Sequence, residues 1–502
     1  MRWEMDWLEH RARLTPRKNA IIDEETDKTW TFSELNERAC ATANWLYARG
    51  TRKGDRVALL SPNHISYFDL LFACGKIGAI FVPLNWRLSQ HELRAILADC
   101  TPILIGIHQK FEMLTPKLTS EGLSSFLVGE TSYEKIVSYP INKVSKEPIS
   151  ETDPLAMIYT GGTTGKSKGV VLSHRAILWN AINTIVSWSL SMDDTTITYL
   201  PMFHTGGLNA LSIPILMSGG TVVIGDSFSG AKAIESLQRY RCTIVLLVPT
   251  MYHTLIQTKE FEASCFPDMK VFLSGAAPCP LLIYEAFYKK GLAFKEGYGL
   301  TEAGPNNFYI SPEDAKIKRG SVGKPMLFNS VKLVKADGCE TNANEVGEIV
   351  IKGKHSFSFY WNQEQATQET VKEGWIHTGD LAKRDEEGYF YIVGRKKDMI
   401  ITGGENVYPL EIEHWLSEHP IINEAAVIGL PDEKWGEIVV AFLSLKKPHR
   451  VEDEELRGYC ESKLGRYKIP KQFIRLEELP KTHVGKMDKN KLKEIAINKG
   501  RT

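Results

Sequence analysis

The most constraining feature of this sequence is a set of short runs that are apolar almost throughout, not at alternate positions. Arg56-Val57-Ala58-Leu59-Leu60, Ala79-Ile80-Phe81-Val82, Thr221-Val222-Val223-Ile224, Thr243 to Val248 and Val271-Phe272-Leu273-Ser274 are of this kind. A strand with one face in water alternates; a strand covered on both faces does not. Helical stretches separate the runs. Arg56 to Leu60, the helix Ile65 to Ile77 and Ala79 to Val82 form a β-α-β unit, which implies a parallel sheet.

Upstream, Ala20-Ile21-Ile22, a polar turn at Glu24 to Lys28 and Trp30-Thr31-Phe32 read as a hairpin. Thr31 and Glu34 have capping-box spacing and open a helix with Leu35, Ala39, Ala43 and Leu46 on one face, stopped at Gly50. From about Ser321 the texture changes to glycine-punctuated β-segments: Val331 to Val334, Gly347 to Ile351 and Tyr389 to Val393. A barrel-like β subdomain fits these better than further α/β units. Gly394-Arg395-Lys396-Lys397-Asp398 marks a break. A compact α+β tail follows, with a helix from Pro409 to Leu416 and strands at Ala425 to Ile428 and Ile438 to Leu445. At 502 residues the chain is too long for one core.

Composition excludes several classes. Lys+Arg 61 against Asp+Glu 61 argues against a nucleic-acid binder driven by bulk charge. The eight cysteines include no C-x-x-C pair and read as reduced core residues, not a disulfide framework or zinc site. Met1 to Asp6 is charged and lacks the apolar core of a signal peptide. The longest apolar stretch, Leu70 to Val82, is broken by Lys76 and two glycines, so no membrane span is expected.

The chemistry-bearing stretch is Tyr159-Thr160-Gly161-Gly162-Thr163-Thr164-Gly165-Lys166-Ser167-Lys168-Gly169, between the apolar runs Leu155 to Ile158 and Val170 to Leu172. Ser173 then caps a helix through Ile177, Leu178 and Ile182. Four glycines, three threonines and two lysines in eleven residues make a phosphate cradle: curled backbone N–H groups, hydroxyl donors and positive charge. A flexible turn is the plain alternative. A Walker loop is excluded, because its first glycine would fall on Thr160.

The stretch resembles the signature loop of the acyl-adenylate-forming superfamily, which comprises acyl- and aryl-CoA synthetases, luciferases and peptide-synthetase adenylation domains. The common form there is Y-T-S-G-T-T-G-x-P-K-G. This chain has Gly161 in place of the serine, as in the long-chain fatty acyl-CoA synthetase branch, and Ser167 in place of the proline. The absent proline should make the loop less rigid without removing a donor.

Further stretches match the family in the same order. Tyr298-Gly299-Leu300-Thr301-Glu302 is similar to its adenylate motif. The resemblance implies that Tyr298 stacks on adenine, Thr301 bonds a phosphate and Glu302 holds Mg2+. It also places Thr160 to Gly165, Lys168, Gly275, Ala276, Ala277 and Gly299 around the nucleotide. Trp375 to Asp380 carries the family's T-G-D, which makes Asp380 the ribose acceptor and Arg395 a second ribose contact. Pro201 to Gly207 resembles the aromatic-His motif, with His204 beside the reacting carboxylate; Gly206, the glycines behind His204 and Gly297 leave space for an acyl group. Pro480 to Lys486 resembles P-x-T-x-x-G-K, in which the lysine, here Lys486, bridges carboxylate and α-phosphate. Asp398 falls on the family's hinge. Rotation there would withdraw Lys486 and bring Gly403 and Gly404 to a pantetheine tunnel. Taken singly, these segments also read as ordinary turns, a structural histidine or a solvated lysine.

The resemblance implies α/β with α+β: a large N-terminal domain of two covered β-sheets plus a β-barrel-like subdomain, residues 1–394, and a small mobile C-terminal α+β domain, residues 395–502. The expected activity is an AMP-forming acyl-CoA synthetase using ATP, Mg2+ and CoA on a medium- or long-chain fatty acid. An aryl acid, such as an o-succinylbenzoate- or 4-coumarate-like one, is the alternative. So is a domain loading a carrier protein, against which the chain's end soon after Lys486 argues. A cytoplasmic location is expected, with peripheral membrane attachment and a homodimer left open.

Overall fold

The apolar runs at Arg56 to Leu60 and Ala79 to Val82, and the two that flank the glycine-rich stretch, share one row of seven strands. In the computed structural model its order is Phe359–Tyr360, Lys168–Ser173, Pro154–Thr160, Ile80–Leu84, Arg56–Leu60, Leu104–His108 and Ser124–Val128. The structure describes residues 5–119, 122–129, 131–142, 147–161, 167–446, 449, 451–482 and 487–499. The central pairs are parallel, with Arg56 opposite Ile80, Val57 opposite Leu104 and Phe81 opposite Ala156. Every residue of Ile80–Leu84 and Leu104–His108 is buried, as a strand covered on both faces requires. At one side the pairing reverses. Pro154–Thr160 and Lys168–Ser173 are antiparallel, with Thr160 opposite Lys168. The glycine-rich stretch therefore joins two hairpin strands.

A second set of strands follows the same logic. The expected N-terminal hairpin, Asn19–Asp23 with Thr29–Thr31, pairs in parallel with Thr221–Ile224, which pairs with Thr195–Thr198. Ile244–Leu247, Val271–Ser274 and Phe294–Glu296 form a parallel trio. The two groups meet where the Thr243 N–H donates to the Thr195 carbonyl at 2.8 Å. The helix Phe32–Ala48 has its full capping box: Glu34 N–H donates to Thr31 Oγ1 at 3.3 Å, and Thr31 N–H donates to Glu34 Oε2 at 2.7 Å. Such a cap stabilises a helix by about 1 kcal/mol.

From Phe308 to Arg395 the chain forms a seven-stranded antiparallel sheet, the expected β subdomain. Beyond it lies a five-stranded sheet whose long hairpin, Ile422–Asp432 with Gly436–Leu445, exceeds the expected strands at both sequence positions. Its side chains alternate by period two. Val427, Val439, Ala441 and Leu443 pack on the helices Pro409–Ser417 and Asp453–Glu461. Ala426, Ile428, Val440 and Phe442 pack on the helix Lys489–Lys499 through Leu492 and Ala496. Among the described residues, every apolar cluster ends by Ile392 or begins at Ile400 or later. No helix among the described residues is long and apolar enough to cross a membrane.

Two helices over the first sheet are locked by a buried ion pair. Arg38 donates to Asp69 through Nε at 3.0 Å and Nη2 at 2.7 Å, and Tyr133 donates to Asp69 Oδ2 at 2.9 Å. Asp69 is 0% exposed and Arg38 7%. Removing one partner leaves the other charge buried, so Asp69→Ala should destabilise by about 3–5 kcal/mol, whereas the apolar pair Arg38→Met with Asp69→Leu should recover most of that. Urea unfolding of the first transition checks this. Equal losses in the single and double variants would remove the ion pair as the lock.

Candidate active site

The carboxyl ends of two parallel neighbours, Val271–Ser274 and Phe294–Glu296, launch the first part of the site. Gly275 and Gly297 follow directly, and the Gly297 N–H donates to the Ser274 carbonyl at 2.8 Å. Loops leaving the carboxyl ends of parallel strands are where open α/β sheets bind ligands. Ala276 is exposed and holds φ near +70°, a left-handed conformation that a residue with a Cβ adopts only under constraint. Ala277 follows it, half-buried.

After Gly297 the chain makes a tight loop. The Leu300 N–H donates to the Gly304 carbonyl at 3.1 Å, and the Asn307 N–H to the Tyr298 carbonyl at 3.1 Å. Gly299 sits where a Cβ would lie 2.1 Å from the Pro305 carbonyl oxygen, so only glycine fits. Thr301 is buried and Glu302 half-buried beside it. The loop aims Tyr298 at the β subdomain, where its hydroxyl donates to Asp380 Oδ2 at 2.7 Å. Burial and the neighbouring Asp380 charge push the Tyr298 phenol well above its ordinary range, so it stays a neutral donor.

Asp380 lies on the strand Trp375–Arg384 directly opposite Arg395 of the strand Phe390–Arg395, and Arg395 Nε is 3.3 Å from Asp380 Oδ1. The Asp380 N–H donates to Thr378 Oγ1 at 3.1 Å, and Gly379 takes φ +70°. Glu348 supports this turn by accepting from the Gly379 N–H at 3.1 Å, while its other oxygen accepts from Lys396 Nζ at 3.0 Å. Burial alone would raise the Glu348 carboxyl; Lys396, the Gly379 N–H and His377 outweigh it and hold it below its ordinary value.

Glu302 completes the cluster. It accepts from the Tyr360 hydroxyl at 2.8 Å, and Lys168 Nζ sits 4.8 Å from the centre of the Tyr360 ring. Burial raises the Glu302 carboxyl; the Tyr360 hydrogen bond and the charges of Arg395 and Lys168 pull the other way. Arg395 thus acts on both Asp380 and Glu302.

The structure therefore gathers Lys168, Tyr298, Glu302, Asp380 and Arg395, with Thr160 opposite Lys168 and Gly161 exposed next to it. Gly162, Thr163, Thr164, Gly165 and Lys486 lie outside the described residues. His204 stands at the start of the short helix Thr205–Leu208, its ring 4.7 Å from that of Phe203. Just past that segment, Asn306 of the Glu302 loop donates from Nδ2 to the Ala210 carbonyl at 2.7 Å, and Asn180 of the helix His174–Trp188 donates from Nδ2 to that of Asn209 at 2.8 Å. Of the two glycines behind His204, Gly206 would meet only Leu200, at 3.7 Å, whereas a Cβ at Gly207 would lie 2.3 Å from the Pro201 carbonyl oxygen. Gly207 is thus close-packed backbone and opens no space. Asp398 ends a 3-10 turn, Lys396–Asp398, three residues past Arg395. Gly403 and Gly404, with φ +58° and +86°, are the two central residues of the hairpin joining Ile400–Thr402 to Glu405–Val407. A two-residue turn with positive φ at both positions by itself favours glycine at each.

Sequence reasoning missed Tyr360, Glu348 and the asparagines. No motif spacing marks them, and their roles come from pairing. Phe359 and Tyr360 join the first sheet opposite Val171 and Val170, which carries Tyr360 to the foot of the glycine-rich stretch.

The chain matches the family model described as AMP-binding enzyme over residues 8–361, and that of the AMP-binding enzyme C-terminal domain over residues 411–486. It is 36% identical to an indoleacetate–CoA ligase of Aromatoleum aromaticum, covering 98% of each chain. To the long-chain-fatty-acid–CoA ligase FadD13 of Mycobacterium tuberculosis it is 35% identical over 97% of each. Its fold matches the o-succinylbenzoate CoA synthetase of Bacillus subtilis solved with an acyl-adenylate intermediate, with a TM-score of 0.88, 34% identity and coverage of 97% of this chain and 98% of that one. The same enzyme solved with ATP and magnesium ion gives a TM-score of 0.87 at 33% identity, over 97% of this chain and 99% of that one.

The glycine geometry yields a direct check. Gly299→Ala and Gly207→Ala force a Cβ onto a carbonyl oxygen and should lower the thermal midpoint of unfolding by several degrees, a cost of about 2 kcal/mol or more. Gly206→Ala, with open space, should stay within about 0.5 kcal/mol of the parent. Equal midpoints for all three would show that the loops yield freely.

Proposed function

We propose, from the premise that this chain belongs to the AMP-binding enzyme family, that it is an acid–thiol ligase joining a carboxylic acid to CoA through an acyl-adenylate. The observation that carries this reading is the convergence of Tyr298, Glu302, Asp380, Arg395 and Lys168, drawn from four separate stretches, into one polar cluster. Asp380 offers a carboxylate whose remaining lone pairs can accept ribose hydroxyls while Tyr298 and Arg395 fix its orientation. Lys168 and the glycine-rich stretch offer charge and donors to phosphates.

The residues fit a magnesium ion that arrives with the nucleotide. Among the described residues no group of three acidic, His or Cys side chains could hold a metal alone. Glu302 beside the phosphate stretch offers the single hard carboxylate that Mg2+ takes together with phosphate oxygens. When bound, the ion neutralises phosphate charge during adenylation. Thr301 and Lys168 orient the phosphates, His204 borders the carboxylate, and Lys486 bridges carboxylate and α-phosphate. Gly275 to Ala277 and Gly297 to Gly299 wall the nucleotide and acyl sides. The boundary between domains is placed at residue 394/395 with its hinge at Asp398, supported by the absence of any described apolar cluster that crosses Gly394 to Met399. Rotation there would exchange Lys486 for Gly403 and Gly404 when CoA attacks.

The acid is best read as an aryl or arylalkyl acid. The fold match to an o-succinylbenzoate CoA synthetase, whose acid carries an aromatic ring, supports this. The indoleacetate relative agrees. A medium- or long-chain fatty acid is the second reading, favoured by Gly161 and by the FadD13 relative.

A pyrophosphate-release assay over indole, phenylpropenoid and fatty acids, with and without CoA, tests the class; CoA-dependent turnover of none of them would end the ligase reading. Asp380→Ala should weaken ATP binding by about 2–3 kcal/mol, the worth of hydrogen bonds to a charged group, as read by calorimetry. Unchanged affinity would sink the ribose assignment. Lys486→Ala should slow acyl-adenylate formation by about 10²- to 10³-fold, as loss of one preorganised charge does, yet spare thioester formation from supplied acyl-adenylate. Single-turnover kinetics of each half-reaction decides; equal slowing of both would end the alternation scheme.

A further inference from the structure

One buried side chain touches the candidate site from both sides and belongs to none of its motifs. Tyr360 is 7% exposed and ends a two-residue strand that pairs with the strand after the glycine-rich stretch, opposite Val170. Its backbone N–H donates to Thr367 Oγ1 at 2.9 Å, and its ring packs edge-on against Phe357 at 4.9 Å. The Phe357 N–H in turn donates to the carbonyl of Glu302 at 2.8 Å. On the other side, the Trp361 N–H donates to the Gly169 carbonyl at 2.8 Å. Tyr360 thus cannot shift without moving both the Glu302 loop and the strand that carries Lys168.

Its side chain works in two halves. The hydroxyl donates to Glu302 Oε1 at 2.8 Å, while the ring face lies 4.8 Å from Lys168 Nζ. One side chain thus serves an anion at its polar end and a cation at its face. It gives each a partner weaker than a counter-charge, a hydrogen bond for the carboxylate and a quadrupole for the ammonium, and so leaves their charge for a triphosphate.

We propose that Tyr360 is a positioning residue for MgATP: its hydroxyl aims Glu302 and its ring shelves Lys168. The proposal rests on the reading of Glu302 and Lys168 as metal and phosphate groups. It assigns a function to a residue that acts through Glu302 and Lys168.

The two halves can be removed separately. Tyr360→Phe keeps the ring and deletes the hydroxyl; Tyr360→Leu deletes both. Calorimetry of ATP binding to the full chain, once with EDTA and once with Mg2+, reads the two arms. The metal-free affinity reports on Lys168, and the gain on adding Mg2+ reports on Glu302. For Tyr360→Phe, metal-free ATP affinity should stay within about twofold of the parent, since the cation–ring contact survives. The gain from Mg2+ should shrink about tenfold, as loss of a hydrogen bond to a charged group implies. For Tyr360→Leu, metal-free affinity should also fall, by about two- to fivefold.

A parent-like Mg2+ gain in Tyr360→Phe overturns the aiming role. Metal-free affinity in Tyr360→Leu equal to that of Tyr360→Phe overturns the shelf. Should Tyr360→Leu not fold, Lys168→Met in the Tyr360→Phe background reads the shelf instead; unchanged metal-free affinity there overturns it equally. A parent chain that binds no ATP at all would overturn the nucleotide-site reading itself. The parent titration alone distinguishes that result from a failure of the Tyr360 proposal.

Discussion

The Asp380 carboxylate is the constraint around which the molecule closes. It is 9% exposed, and a carboxylate taken that far from water costs several kcal/mol unless it is paired and hydrogen-bonded. Its two partners come from different parts of the fold. Tyr298 leaves the carboxyl end of the parallel trio, and Arg395 ends the antiparallel sheet. The β subdomain is thereby fixed to the α/β part by a contact that is costly to break. The two partners differ in kind, however. Tyr298 is half-buried and further anchored through Phe308, which packs on Phe390, while the Arg395 side chain is 51% exposed. Water screens the Arg395 contact, so of the two arms this is the one that can release at little cost. It is also the arm that leads into the second core at Ile400.

What was legible in the sequence follows from which physical signals are local. Uninterrupted apolar runs told of strands covered on both faces, and the capping box at Thr31 was readable because both of its partners lie within four residues. The switch in texture near Ser321 located the antiparallel sheet. Strand pairing was not legible. Nothing in Leu155 to Ile158 or Val170 to Leu172 says that they pair antiparallel at the side of a parallel row, because hydrogen-bond direction leaves no mark on side-chain pattern. Tyr360 was hidden for the same reason. Its place depends on a two-residue strand joining a sheet whose nearest other member lies far back in the chain.

The glycines show how one residue type carries several meanings. In the sequence Gly206, Gly207 and Gly297 all read as space for an acyl group. The structure separates them. Gly207 is fixed by a carbonyl oxygen that occupies the place of a Cβ, a Cβ at Gly297 would press on Leu273 at 3.3 Å, and one at Gly206 would meet only Leu200, at an ordinary 3.7 Å. Gly403 and Gly404 satisfy a tight hairpin turn before any contact with a ligand is considered. A glycine inferred from a motif therefore assigns a role only once its backbone torsion and its neighbours are known.

The charges of the cluster impose an order on what can bind. Glu302 and Asp380 carry two negative charges, Arg395 and Lys168 two positive ones, and Arg395 acts on both carboxylates. Internally balanced, the cluster can be held partly out of water without a ligand, which a bare group of cations could not be. The same balance makes it a poor receptor for a naked triphosphate. If Lys168 takes a phosphate, the Glu302 carboxylate, which already feels the Lys168 charge, repels that phosphate and offsets part of the attraction. On the proposed reading, that repulsion is relieved only when a divalent cation arrives with the nucleotide and takes Glu302 as a ligand. Lys168 and Arg395 are then left to the phosphates and the ribose. On that same reading, the half-buried carboxylate acts less as a general anchor for charge than as a filter, admitting the triphosphate in its metal-bound form.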